Sequence, residues 1–154
     1  MKVIKPPQKI PNKLPKATVF LGGTIDMGYS NDWQTKLIND LNELDGIILN
    51  PRRDNWDSSW EQKSTNPNFL EQVNWELEGQ ERASIICYYF AGESKSPITL
   101  LELGLFKDKT PIVFCPENFY RYGNIDIVCD RYKMPHYTTY SEFLSGIKNA
   151  LEKD

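Results

Sequence analysis

The chain has one histidine, His136, in 154 residues. One imidazole cannot build a metal-ligand cluster, and beside Pro135 it reads as structural rather than as part of a Ser-His-Asp set. No metal site and no cofactor are expected. The three cysteines, Cys87, Cys115 and Cys129, form no CxxC pair and each sits in an apolar run. They read as reduced core residues of an intracellular protein, not as a disulfide frame. No apolar run approaches the ~18–20 residues of a membrane span, and the start of the chain lacks the apolar segment of an export signal. The expected location is cytoplasmic, with no membrane partner. Basic residues are scattered apart from Arg52-Arg53, and the net charge is −3. A nucleic acid polymer is therefore not an expected partner. The dinucleotide pattern GxGxxG is absent. Gly23-Thr24-Ile25-Asp26-Met27-Gly28-Tyr29-Ser30 follows the phosphate-loop pattern except that Tyr29 stands in place of its lysine, so nothing neutralises the β/γ-phosphates and triphosphate hydrolysis is not expected.

What remains is ordinary globular composition, 40% hydrophobic and 25% charged, at a length that suits one domain. Residues 1–16 hold Pro6, Pro7, Pro11 and Pro15 among five lysines and read as an extended, mobile arm. Residues 17–154 read as a single domain. Short apolar runs at Ala17–Leu21, Ile47–Leu49, Ser84–Phe90, Pro111–Cys115 and Asp126–Cys129 predict five strands. Helical spacing covers Asp32–Leu44, Asn68–Arg82, Pro97–Lys107 and Tyr140–Leu151. The alternation predicts an α/β fold: an open, mostly parallel five-stranded sheet with helices on both faces. Ligands of such sheets bind beyond the carboxyl ends of the strands, where the strand order reverses. The polar stretch Arg52–Pro67 is longer than an ordinary connection and is a candidate lid.

Within Ser96-Pro97-Ile98-Thr99-Leu100-Leu101-Glu102-Leu103-Gly104, Glu102 is the lone charge, just after the third strand. Spacing leaves two readings: a buried carboxylate kept for chemistry, or a residue on the wet face of a helix. Glu76 shares a helix face with Phe69, Val73 and Gln80, and either points inward or is an ordinary surface glutamate. Gly22-Gly23 either lets a flat ligand approach the backbone or makes a tight turn. Trp56, Trp60 and Trp75 either stack on a base or cover core, and the loop tryptophans lean towards stacking.

Together, Phe20-Leu21-Gly22-Gly23-Thr24, Asn31-Asp32-Trp33-Gln34, Asn50-Pro51-Arg52-Arg53, Gln72–Glu78 and Ser96–Gly104 resemble the nucleoside 2-deoxyribosyltransferase family, in its branch with the SPITLLELG-type segment. The resemblance spans nearly everything after residue 16. It implies a flavodoxin-like sheet, no metal, a homodimer or higher oligomer, and transfer of 2-deoxyribose between nucleobases. Its substrates are deoxynucleosides and free nucleobases. It implies Glu102 as nucleophile, and Glu76 in place of an aspartate that contacts base or sugar. It implies that Asn124 reaches into a neighbouring subunit's site. Phe20 stands where some members carry a tyrosine that orients the nucleophile, and Ser96 where some carry a base-binding aspartate. Asp32, Trp33, Asn50 and Arg53 fall in the matching motifs and are expected to line the substrate site.

The chemistry needs a carboxylate to stabilise the sugar cation and form a glycosyl ester, with an acid to protonate the departing base. Glu102 takes the first role; Glu76 and Asp54 are candidates for the second. Two rivals remain: an N-glycosidase hydrolysing a nucleoside, nucleotide or NAD-type substrate on the same fold, and a non-catalytic nucleotide-binding module.

Overall fold

The computed structural model describes residues 1–25 and 31–153. Residues 26–30 of the near phosphate-loop motif lie outside them. The elements run β1 (Lys2–Ile4), β2 (Thr18–Gly23), α1 (Trp33–Asp40), β3 (Ile47–Leu49), α2 (Pro67–Arg82), β4 (Ile85–Tyr89), α3 (Pro97–Leu105), β5 (Ile112–Phe114), α4 (Tyr122–Tyr132), β6 (His136–Tyr137) and α5 (Tyr140–Lys153). Among the described residues the strands form one six-stranded sheet, ordered β1-β3-β2-β4-β5-β6, with every pairing parallel. The arrangement is α/β and flavodoxin-like.

Period-2 alternation divides the core. Phe20, Ile86, Tyr88, Phe90 and Val113 face one layer, with Trp75 of α2, Leu103 of α3, and Ile125 and Cys129 of α4. Val19, Leu21, Ile85, Cys87 and Ile112 face the other, with Trp33 and Leu37 of α1 and Phe143 and Ile147 of α5. With both faces covered, β2 and β4 read as near-continuous apolar runs, as expected of a parallel sheet.

Two expectations change. The segment 1–16 is extended but not free. Lys2–Ile4 pairs with Ile47–Leu49 as an edge strand, Ile4 is fully buried, and the Trp75 indole N–H donates to the Gln8 carbonyl at 2.8 Å. Its prolines disguise one short strand whose apolar residues close the sheet. The run Asp126–Cys129 is helix, not strand. Ile125 and Cys129, four apart, are buried, whereas Ile127 between them is 68% exposed, and that is helical periodicity. The strand pairing with β5 is His136–Tyr137, too short to announce itself in sequence. His136 ties it to α4, with Nε2 at 2.9 Å from Asp126 Oδ1.

The three cysteines are free and buried, and burial pushes all three thiols up, Cys115 and Cys129 to about 12. They stay thiols at working pH.

The glycine pair serves packing. Gly23 sits at φ +145°, and a Cβ there would lie 2.4 Å from the Tyr89 carbonyl oxygen of β4. Gly23→Ala is therefore expected to cost roughly 2–4 kcal/mol, from a backbone clash added to a disallowed φ. Urea unfolding measures it, and an unchanged midpoint would refute the packing argument.

Candidate active site

Chain order turns at β2. From there the chain passes through α1 to β3 on one side and through α2 to β4 on the other, so the reversal lies between β2 and β4. The carboxyl ends of these strands, Gly22-Gly23 and Tyr88-Tyr89, lie side by side there. Glu102 is in the middle of α3, the helix that follows β4, and is only 9% exposed. The wet-face reading fails, because the exposed face of α3 is made of Ile98, Leu101 and Leu105.

Helix α2 starts cleanly. Asn66 caps it, its side chain accepting from the N–H groups of Asn68 and Phe69, and Pro67 occupies the first turn. Its stripe Gln72, Glu76 and Gln80, spaced by four, faces the site. Gly79 lets the helix press onto the sheet, since a Cβ there would lie 2.9 Å from the Phe20 ring. The Gln80 side-chain amide donates to Glu102 Oε1 at 3.0 Å, and Gln72 Nε2 donates to Glu76 Oε1 at 2.7 Å. Gln72 Nε2 also donates to the Pro51 carbonyl at 2.8 Å, fixing α2 to the end of β3.

Burial pushes the Glu102 carboxyl up to about 7, against the opposing hydrogen bond from Gln80. Glu76 is likewise pushed up to about 7, chiefly by burial, with Glu102 adding to the rise and Gln72 opposing it. The charge of Glu102 thus adds to the desolvation that raises Glu76, and both carboxyls hold a proton to higher pH than a solvated glutamate does. A nucleophile needs an ionised carboxyl and an acid a protonated one.

Beside them a hydroxyl cluster joins β2 to α3. Thr24 Oγ1 lies 2.5 Å from Ser96 Oγ, which lies 2.6 Å from Ser94 Oγ. Ser96 sits at the N-cap of α3 with φ 44°, a left-handed conformation, and is 6% exposed. The Ala91 N–H donates to Thr24 Oγ1, which completes the clasp.

The other sequence candidates divide. Phe20 is core, 1% exposed and packed near Trp75 and under Gly79. Gly22 makes room for the Tyr88 ring rather than for a ligand, since a Cβ there would stand 2.6 Å from it. Trp33 is a support: its indole stacks on Tyr89 at 4.7 Å and donates to the Thr24 carbonyl. Asp32 caps α1, accepting from the Thr35 N–H and hydroxyl. Asn50 accepts the Arg52 N–H and is 1% exposed. Arg53 is spent on Glu71 at 2.9 Å, on Asn55, and over the Trp60 ring, which packs edge-on against Trp56. These contacts order the 52–66 loop. Asp54 does not join Glu102. Its side chain is 81% exposed and paired with Lys5 at 2.7 Å. Asn124 is exposed, in the first turn of α4.

The sequence reading missed Gln72 and Tyr88 and left Gln80 without a role. The four-residue spacing of Gln72, Glu76 and Gln80 was the available signal. Tyr88 gave none, since it reads as one more apolar strand residue. Among the described residues no group of three or more His, Cys, Asp or Glu side chains is placed to hold a metal. A cleft of about 410 Å³ opens elsewhere, at the amino ends of β4 and β5, and the described residues that line it include no carboxylate.

A family model described as nucleoside 2-deoxyribosyltransferase like matches residues 16–119. No curated protein matches the chain. Among solved structures, a conserved protein from Enterococcus faecalis V583 shares the fold with TM-score 0.58 at 13% identity, over 87% of this chain and 98% of that one.

Proposed function

This chain belongs to the nucleoside 2-deoxyribosyltransferase-like family, and from that premise we propose that it transfers 2-deoxyribose between nucleobases by two displacements at Glu102. The observation that carries the reading is Glu102, 9% exposed in the middle of the helix after β4 at the switch point and held there by the Gln80 amide, with the partly buried Glu76 on the facing stripe of α2. A Glu102 oxygen attacks C1′ of a deoxynucleoside. The C1′–N bond breaks with its electron pair going to the base, and the Glu76 carboxyl gives that nitrogen its proton. The result is a glycosyl ester on Glu102 and an ionised Glu76. A second base then attacks C1′ through nitrogen, the ester carboxylate departs, and Glu76 takes the surplus proton from the incoming base. Two inversions retain the configuration. The buried hydroxyls of Thr24 and Ser96 anchor the start of the Glu102 helix to the end of β2.

Glu76 is preferred to Asp54 as the acid because burial holds a proton on it near neutrality, whereas Asp54 lies in solvent beside Lys5. The reading is tested by incubating thymidine or deoxyinosine with adenine or cytosine and following new nucleosides by chromatography. Free deoxyribose released at the same rate with and without a second base would favour the hydrolase instead.

A second copy completes the site in this proposal. Ile98, Leu101 and Leu105 make an apolar stripe on α3, 60%, 66% and 59% exposed. Ile127 is 68% exposed on α4, one turn from the outward-facing Asn124. Asn124 thus borders apolar surface that a partner would cover, from which it could reach the partner's sugar. Leu101→Glu is expected to give a monomer in sedimentation, with exchange lost; a fully active monomer would contradict the shared site. Three unpaired buried thiols suit a reducing cytoplasm.

A further inference from the structure

We infer that Gln80 and Tyr88 act as positioning residues, a two-membered brace from β4 through α2 that holds Glu102 Oε1 and leaves Oε2 for the sugar. The inference rests on the assignment of Glu102 as nucleophile. Phe20 has no hydroxyl to offer this carboxylate; the Gln80 amide bonds it instead.

The orientation of that amide is determined by its surroundings. Gln80 Nε2 lies 3.2 Å from the backbone carbonyl oxygen of Glu76, which can only accept, so the NH2 end must face it. The second N–H of the same nitrogen then points to Glu102 Oε1 at 3.0 Å. At the far end, the Tyr88 hydroxyl lies 2.5 Å from Gln80 Oε1 and donates to it. A flipped amide would set oxygen against oxygen at Glu76. Gln80 is fully buried, as is Tyr88, so neither contact is exchanged for water.

The phenol stays a donor. Burial first, and the Glu102 carboxyl second, push its ionisation far above working pH. Among the described residues the titratable groups that act on or respond to Glu102 are Glu76 from α2 and Tyr88 from β4. Lys109 touches the brace only through backbone: its ammonium is shared among the carbonyls of Gln80, Glu81 and Ala83 at the end of α2. Glu102 Oε2 accepts no hydrogen bond from the described residues and is not sealed from solvent. The brace thus fixes one oxygen, favours its ionised form, and leaves the other to react.

The Tyr88 ring is itself held by space. It occupies the volume a side chain at position 22 would need. Gly22 of β2 therefore acts on catalysis through the ring it admits.

The test is a pH–rate profile of base exchange for Tyr88→Phe and Gln80→Met beside Glu102→Ala. Both brace variants keep the buried volume, and thermal unfolding checks that they fold. With the brace broken, kcat is expected to fall about 10-fold with KM within about twofold, because the lost contact orients the nucleophile rather than holding substrate. The acidic limb of kcat/KM is expected to move up by roughly half a unit to one unit in Gln80→Met, where the hydrogen bond favouring the carboxylate is gone, and by less in Tyr88→Phe, where the amide that makes it loses its anchor. Wild-type limbs in both folded variants, with Glu102→Ala inactive, would overturn the brace and leave the nucleophile standing. Activity retained in Glu102→Ala would overturn the nucleophile first.

Discussion

Glu102→Gln is expected to lose base exchange by at least ~10³-fold while becoming more stable than the native chain above neutral pH. The two effects have one cause. Glu102 is only 9% exposed, and burial raises its carboxyl to about 7. Its folded pKa lies above its unfolded value, so the folded state binds the proton more tightly. Its contribution to stability is therefore fully present below the unfolded pKa, near 4.5, and is lost as pH rises through about 7. At pH 8 the native protein bears the cost of an ionised buried group, of order 1–3 kcal/mol; the glutamine variant does not. The side-chain amide of that variant would still present an oxygen to the Gln80 NH2 group. Thermal unfolding at pH 5 and pH 8 reads the difference, with the variant gaining several degrees at pH 8 and little at pH 5. Equal midpoints at pH 8 would mean that Glu102 is better solvated than its burial indicates.

Glu76→Gln is expected to show a loss that depends on the departing base. A neutral base leaves as an anion unless it is protonated, and removal of the acid should cost roughly 10²–10⁴-fold there. A nucleoside whose base already carries positive charge, such as 7-methyl-2′-deoxyguanosine, leaves as a neutral molecule and needs no proton. Its glycosylation of Glu102 should survive the substitution nearly intact. Stopped-flow release of the methylated base against release of hypoxanthine makes the comparison. A uniform loss on both would assign Glu76 to binding or to packing through Gln72. The basic limb of the wild-type profile should also vanish in Glu76→Gln, because the proton whose departure defines it is absent.

The legible parts of this fold were those governed by local rules. Apolar runs stopped by Gly, Pro or Asn marked the strands β2 to β5, and helical spacing marked α1, α2, α3 and α5 to within a few residues. The failures came where length removed the signal. Lys2–Ile4 and His136–Tyr137 are too short to show a period, and both are strands only because a neighbouring strand edge was available to pair. The run Asp126–Cys129 looked like strand because so short a run cannot distinguish the two periods; the buried pair Ile125 and Cys129 decides for helix.

The site divided along a similar line. Glu102 stood out because a charge amid apolar neighbours is rare, and Glu76 because it shared a face with apolar residues. Residues named from neighbouring motifs make structural contacts in this fold. Asp32 caps a helix, Trp33 covers β2, and Arg53 fastens the loop after β3. The brace was hidden because its members lie eight residues apart across a helix–strand turn, and Tyr88 is indistinguishable in sequence from core.

The central claim is that one oxygen of Glu102 forms a covalent bond to C1′. The most direct test is incubation with a 2′-fluorinated deoxynucleoside, which slows departure of the ester, followed by proteolysis and mass spectrometry of the labelled peptide. The account predicts one added sugar on the peptide containing Glu102, removed when a free base is supplied and absent from Glu102→Gln. A label on another carboxylate, or steady exchange of natural substrates with no label anywhere, would contradict it.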